Sequence, residues 1–447
     1  MWKSAIFLAI LGLLTTSLKP VFPKSRYHNY QETTVYVSET TRKEIEEELY
    51  AFFNTSSSDD ALSISEQKAS LSVRKDLSAR INSLSRMETA IGCVFDVVDM
   101  LPFIDSIRRI DENSYSVVTY LTTAIKYHYP EIDYSDDHML IGVTHEMELV
   151  HTGTAWKIVK DSFDERSVTG IASQDVIERE LIEAPIDSSQ SEKVNNEETY
   201  EPLRSYSVLN AISYAMTYCG FNATARRNFA RTGTGAYSGY NLPYVAHGTN
   251  YYNQSFYHSE WGSKDCANYV SQCLNYGGLP QVTGGPHKWF YLSSTNHSVS
   301  WKGAYELMEY LIAVGYGTYV NLDNVTNINA VLFPGNPVFW DVGNNYHAAI
   351  CTGYNTAGQP VICAHTNDVY RLPFSALNST YIPHDSVGTV QIVLSNHHSS
   401  HSPISDPWYY DDTKHFHVCQ YCEYPCNVTS HSLNYVGYCS VCGYLEP

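Results

Sequence analysis

The sequence predicts an α+β chain built from more than one part, and three observations predict it. Apolar residues at helical spacing come first and long, partly alternating stretches follow. A polar segment at 183–201 then separates these from a second region with its own apolar pattern. Two closely spaced cysteine pairs mark a small unit at the end. At 447 residues the chain exceeds one ordinary core, and 43% hydrophobic residues are enough to bury a sizeable interior. Only 17% of residues are charged, and Asp and Glu outnumber Lys and Arg 47 to 28, a formal −19. That balance argues against nucleic acid or anionic lipid as the main partner, since either requires a basic face.

Residues 1–20 read as a secretory signal. Lys3 supplies the positive charge, and residues 5–14 are apolar apart from Gly12. A bilayer span needs ~20 residues, so this run is short for one. A buried N-terminal helix is the alternative. No cysteine follows the run to accept a lipid, and no other segment has the length to span. The expectation is an exported protein, secreted or cell-wall associated, with no transmembrane segment in its mature chain.

Residues 38–168 form the first predicted module. Thr41 and Glu44 make a capping box, after which Ile45, Leu49, Phe52 and Phe53 share one helix face. A second helix is predicted over 60–86, with Leu71, Leu77, Ile81 and Leu84 on its apolar side. Residues 91–98, 114–129, 139–151 and 155–160 are rich in Val, Ile, Thr and Tyr and read as a strand meander packed on the helices. The closing string from Trp156 to Phe163 resembles the last strand of cone-shaped, SnoaL-like domains. The resemblance implies an accessory α+β module that holds a ligand or mediates contacts. No acid–base cluster stands out in it. Residues 183–201 have the composition of a solvated linker.

The second module, 202–395, holds the string that carries chemistry. Ser263 is positioned to cap a helix whose third residue is Cys266, with Val270, Cys273, Leu274 and Gly277 along one face and Gly277-Gly278 as its stop. A cysteine in the first turn meets the positive helix end, which favours the thiolate, the form that attacks acyl carbons. An inert buried thiol fits the same spacing. The run Asp265-Cys266-Ala267-Asn268-Tyr269-Val270-Ser271-Gln272-Cys273-Leu274, closed by Gly277-Gly278, resembles the amidase domain family of secreted bacterial proteins, a papain-like cysteine hydrolase group. It is more distantly similar to the NlpC-type wall peptidases, from which it departs at Ala267 and Asn268. Tyr206, Asn210, Ala211, Ala215, Trp289-Phe290-Tyr291 and Ser300-Trp301 extend the likeness in matching order.

The resemblance implies a papain-like domain acting as a cysteine amidase or peptidase without a catalytic cofactor. It assigns His347, at the head of a predicted strand, as general base toward Cys266. His365, on the following strand, is the implied partner that orients His347; Asn367, of the same strand parity, is the alternative. An oxyanion hole would pair the Cys266 backbone N–H with a side-chain donor. Glu260 stands where such enzymes often carry glutamine, and Asn253, Gln254 and Tyr257 remain as candidates. Tyr251, Tyr252, Tyr257, His258, Trp261, His287 and Trp289 either floor a groove or belong to the core.

Residues 413–447 read as a zinc-ribbon-like tail. Cys419-x2-Cys422 and Cys439-x2-Cys442 have the spacing of a structural Zn2+ site, which replaces the core that so short a segment lacks. Disulfides are the alternative outside the cell. His415, His417 and His431 are further possible ligands, and Cys426 a fifth thiol. The functional expectation is hydrolysis of an amide in a peptide or peptidoglycan-like substrate. A non-catalytic surface-binding or scaffold protein is the alternative, and acyl transfer would use the same residues.

Overall fold

The computed structural model describes residues 37–54, 69–132, 137–163, 206–223, 226, 248–258, 265–323, 325–342, 345–377, 386–392 and, in the tail, 403, 409–410, 414–418, 425–432, 434 and 439–441. The predicted signal (1–20) and linker (183–201) lie outside these residues. Helix α1 (Glu39–Phe53) buries Ile45, Leu49, Phe52 and Phe53, the face its spacing predicts. Its cap is Ser38, whose Oγ accepts the Thr41 N–H at 3.0 Å, so the helix begins before the predicted Thr41–Glu44 box. Helix α2 (Leu71–Ile91) runs past the predicted end and stops at Gly92, where φ is +74° and a left-handed turn suits glycine.

Four antiparallel strands follow as a meander: β1 (Val94–Arg109), β2 (Ser114–His128), β3 (Asp137–His151) and β4 (Trp156–Phe163). Register shifts in β1 between Phe95 and Val97 and between Ile104 and Ser106 mark bulges, the usual source of local bend and twist. The meander contains a pair that the sequence reading passed over. His145 Nδ1 lies 2.8 Å from Asp161 Oδ1, with both side chains buried. The two lie 16 residues apart and meet only because β3 and β4 are antiparallel.

After the linker, helices α3 (Val208–Thr217), α4 (Cys266–Tyr276) and α5 (Ala304–Ala313) pack on strands β5 (Gly317–Asn321), β6 (Pro337–Val342), β7 (Asn345–Tyr354), β8 (Pro360–Ala364), β9 (Asp368–Pro373) and β10 (Ser386–Ile392). These strands join the meander in one ten-stranded sheet, in the order β1-β2-β3-β9-β8-β7-β6-β10-β5, with β4 also paired to β3. Strand β3 is the joint. Its Leu140, Ile141 and Gly142 pair with Tyr370, Val369 and Asp368 of β9, while residues from His145 to His151 pair with β4. The result is a mixed α and β fold around a largely antiparallel sheet, and residues 37–447 form one compact unit.

Strand alternation sorts the core onto two faces. Val338, Trp340, Ala349, Cys351, Ile362 and Ala364 join the cluster that includes α1 and α2. Phe339, Ala348, Ile350, Cys363, Tyr370 and Val390 join the cluster with α3, α4 and α5. In the tail, β11 (Lys414–Val418) and β12 (Pro425–Ser430) form a hairpin flanked by the short strand Tyr409–Tyr410. No helix among the described residues is long and apolar enough to cross a membrane.

Candidate active site

The candidate nucleophile lies at the head of α4. Asp265 is the N-cap and Cys266 the first helical residue, two positions closer to the helix start than the predicted Ser263 cap implies; Ser263 lies outside the described residues. Asp265 makes no side-chain cap, because both carboxylate oxygens are engaged elsewhere. Oδ1 accepts from Asn268 Nδ2 at 2.7 Å, and Oδ2 lies 2.6 Å from His365 Nδ1. The helix end is consequently tied to the sheet through its capping residue.

Cys266 is buried among the apolar residues of the helical face. Burial pushes its thiol up to about 11, while the backbone N–H groups of Ala348, Ala267 and Cys266 itself pull it down and the Asp265 charge raises it. Burial therefore outweighs the helix end here. The expectation of a standing thiolate is corrected: at neutral pH the sulfur carries its proton and needs a base to lose it. The Ala348 N–H is also an oxyanion donor candidate that sequence reasoning missed, since a backbone group leaves no mark in a motif.

His365 ends the β8 side of the hairpin to β9 and faces α4. Its Nε2 lies 2.5 Å from the Tyr218 carbonyl oxygen. Both ring nitrogens therefore face oxygen acceptors in the resting structure. The ring lies between Tyr252 and Tyr269, at centroid distances of 3.6 and 3.9 Å. The hairpin turn places Thr366 at φ +58° and Asn367 at φ +63°. Left-handed backbone at a β-branched residue is costly. Here the Thr366 hydroxyl accepts the Asp265 N–H at 3.1 Å, fastening the turn to the start of α4.

Asp368 completes the buried group. It accepts from the Tyr252 hydroxyl at 2.6 Å, and burial pushes it up to about 7 against the lowering effects of His365 and that hydrogen bond. A Cβ on Gly220, which has φ +85°, would stand 2.4 Å from the Asp368 carboxyl carbon, so only glycine fits there.

Three sequence expectations change in this setting. His347 makes no hydrogen bond to Cys266. It is the cross-strand partner of Trp340 and packs edge-on against that ring at 4.5 Å, on the sheet face opposite Ala348 and the sulfur. Its Nε2 is buried without a hydrogen-bond partner, and burial, then His365, push it down to about 3. His365 does not orient His347, because both of its nitrogens are engaged by Asp265 and Tyr218. Asn367 shares no strand parity with His365, because it sits in the turn.

The oxyanion candidates also have other duties. Asn253 Nδ2 donates to the Tyr214 hydroxyl at 2.8 Å, and Gln254 Nε2 donates to the Thr249 carbonyl at 2.6 Å. Glu260 and Trp261 lie outside the described residues. Trp289 belongs to the core: its Nε1 donates to Ser271 Oγ at 3.0 Å, and Trp301 Nε1 donates to Asn268 Oδ1 at 2.7 Å. The polar residues of the α4 string thus satisfy buried indoles. A cavity of about 310 Å3 opens between α3 and α4, lined by Tyr214, Tyr218, Asn253, Gln272 and Tyr276 among others. Tyr218 lines it and also meets His365 through its carbonyl oxygen.

Of the expected metal ligands, Cys419, Cys422 and Cys442 lie outside the described residues. Cys439 is buried beside His415 and His431. Residues 205–387 match the family model described as "Putative amidase domain", which supports amide hydrolysis as the activity of this segment. No curated protein and no solved structure matches the chain.

Proposed function

We propose that the segment 205–387 hydrolyses an amide bond by way of a Cys266 thioester, acting on a peptide or peptidoglycan-like substrate outside the cell. The observation that carries the reading is Cys266 at the head of α4, facing backbone N–H groups and adjoining the Asp265–His365 pair. The thiol proton passes to an imidazole as sulfur attacks the carbonyl carbon. The oxyanion is met by the Cys266 and Ala348 N–H groups, and the protonated imidazole returns the proton to the departing amine. Water then releases the acid and restores the thiol. His365 takes the imidazole role, because it shares the sulfur's face and a carboxylate holds its Nδ1, the arrangement in which a third group orients the base. Its Nε2 must leave the Tyr218 carbonyl and reach the reacting sulfur in the substrate complex.

A scaffold or binding role is the second reading. It is favoured by the buried thiol and by the lack of any hydrogen bond from Cys266 Sγ to a histidine among the described residues. Mass spectrometry of the full chain, quenched during incubation with purified wall fragments and a peptide library, separates the two. An acyl adduct on Cys266, with released amine, supports hydrolysis. A folded chain that neither accumulates adduct nor cleaves any member supports the scaffold.

A further inference from the structure

The tail gathers a second group of chemically competent side chains at a separate three-stranded sheet. His415 on β11, His431 just beyond β12 and Cys439 offer one ligand atom each, all within 4.8 Å of one another. The fold makes this meeting. β11 and β12 are antiparallel with His415 opposite Thr429, so His431 emerges two residues past that rung, and the chain then returns Cys439 against it. His415 and Cys439 are 3% and 0% exposed. So short a segment has little apolar interior of its own, and buried ligands can replace one.

We propose that His415, His431 and Cys439 bind a divalent transition metal of the zinc class, with one further donor completing the coordination. The set is a thiolate with two imidazoles, the mixed S/N chemistry that borderline-soft ions select and magnesium or calcium do not. Two distances support it. Cys439 Sγ lies 3.6 Å from His415 Nδ1. Two ligands on one tetrahedral zinc, with Zn–S near 2.3 Å and Zn–N near 2.05 Å, are separated by about 3.6 Å. The His415 Nε2 lies 2.7 Å from Thr429 Oγ1. When Nε2–H donates to that hydroxyl, Nδ1 presents its lone pair toward the sulfur, which is how outer hydrogen bonds set the tautomer of a ligating histidine. This arrangement departs from the four-cysteine site that the two Cys-x2-Cys pairs predict, sharing only Cys439 with it.

Zinc per full-length chain, measured by elemental mass spectrometry before and after chelation and refilling, tests the proposal together with cobalt substitution. The expected result is one ion per chain. Cobalt should show intense tetrahedral visible bands and a thiolate-to-cobalt charge-transfer band that disappears in Cys439→Ser. His415→Gln and His431→Gln should each lose stoichiometric metal, and Thr429→Val, which removes only the outer hydrogen bond, should weaken binding by about 10–100-fold. Full occupancy retained in both histidine variants but lost in Cys439→Ser would overturn the proposal in favour of the four-cysteine site. A wild-type chain that takes up no zinc or cobalt after reduction overturns it as well. Neither outcome touches the amidase reading, whose assay depends on Cys266.

Discussion

Two buried histidine–aspartate pairs among the described residues have nearly the same geometry. His145 and Asp161 meet at 2.8 Å in the meander, and His365 and Asp265 at 2.6 Å at the head of α4, each with side chains no more than 5% exposed. Their surroundings differ. His145 stacks on Phe163 and meets Phe53 edge-on, and its Nε2 is buried without a hydrogen-bond partner. Asp161 is thus the one polar partner shown for that ring. His365 gives its second nitrogen to the Tyr218 carbonyl, lies between two tyrosines, and is held by a carboxylate whose neighbour in the chain is Cys266. A histidine–carboxylate pair is therefore not a site by itself. The nucleophile beside it and the polar partners around it make the difference.

Activity should break the symmetry most sharply. His365→Asn is expected to lower turnover by about 10²–10⁴-fold, the usual range for a lost acid–base group, whereas His145→Asn should change it by less than about threefold. Each replaces a buried ring that bonds a carboxylate by a smaller amide donor and should cost comparable stability, about 1–3 kcal/mol. Assays run at a temperature where circular dichroism shows both variants folded isolate the catalytic term. His347→Gln belongs in the same series. A loss there as large as for His365→Asn would mean that the strand turns His347 to the sulfur in the working enzyme, against the assignment made above.

The next largest effect concerns the support behind His365. Gly220→Ala forces a Cβ against Asp368 at a left-handed backbone position, and a destabilisation of about 2–4 kcal/mol is expected in urea unfolding. Gly153→Ala, also at positive φ but with open space around it, should cost only about 1 kcal/mol. Equal losses would show that the crowding at Asp368 carries no weight.

Proton linkage gives a smaller, pH-dependent contrast. His347 is pushed down from 6.5 to about 3 in the folded chain, so the unfolded chain binds more protons between those values. Its contribution is intact above about pH 6.5 and is lost as pH falls toward 3. Asp368, pushed up to about 7, acts in the opposite sense, and its contribution is lost as pH rises from about 4 through 7. His347→Gln should flatten the acid limb of the stability profile, and Asp368→Asn the limb approaching neutrality, each by a few kcal/mol at most. Denaturant midpoints from pH 4 to 8 read both.

The smallest signal is the reactivity of the thiol in the resting chain. With Cys266 pushed up to about 11, iodoacetamide labelling followed by peptide mapping should climb steadily from pH 7 to 10 without a plateau. A plateau near pH 7 would mean that the resting chain already holds a thiolate.

Much of this was legible in the residues themselves. The spacing of Ile45, Leu49, Phe52 and Phe53 determined the buried face of α1, because an apolar stripe at helical period has one way to leave water. The string from Asp265 to Gly278 likewise marked α4 and its cysteine, since the stop residues and periodicity are local. Local pattern could not decide which side of a sheet a strand's first residue faces, because alternation fixes parity but not its origin. That origin came from the pairing of β7 with β6, which sends His347 to Trp340 and Ala348 to the sulfur. Asp265 pairs with His365 across 100 residues, Asp368 lies in register with Gly142 on β3, and Cys439 lies beside His415. Each of these depends on long-range strand pairing or chain return. The sequence determined which side chains are chemically capable, and tertiary structure decided which of them meet, because proximity between distant segments is set by packing and register.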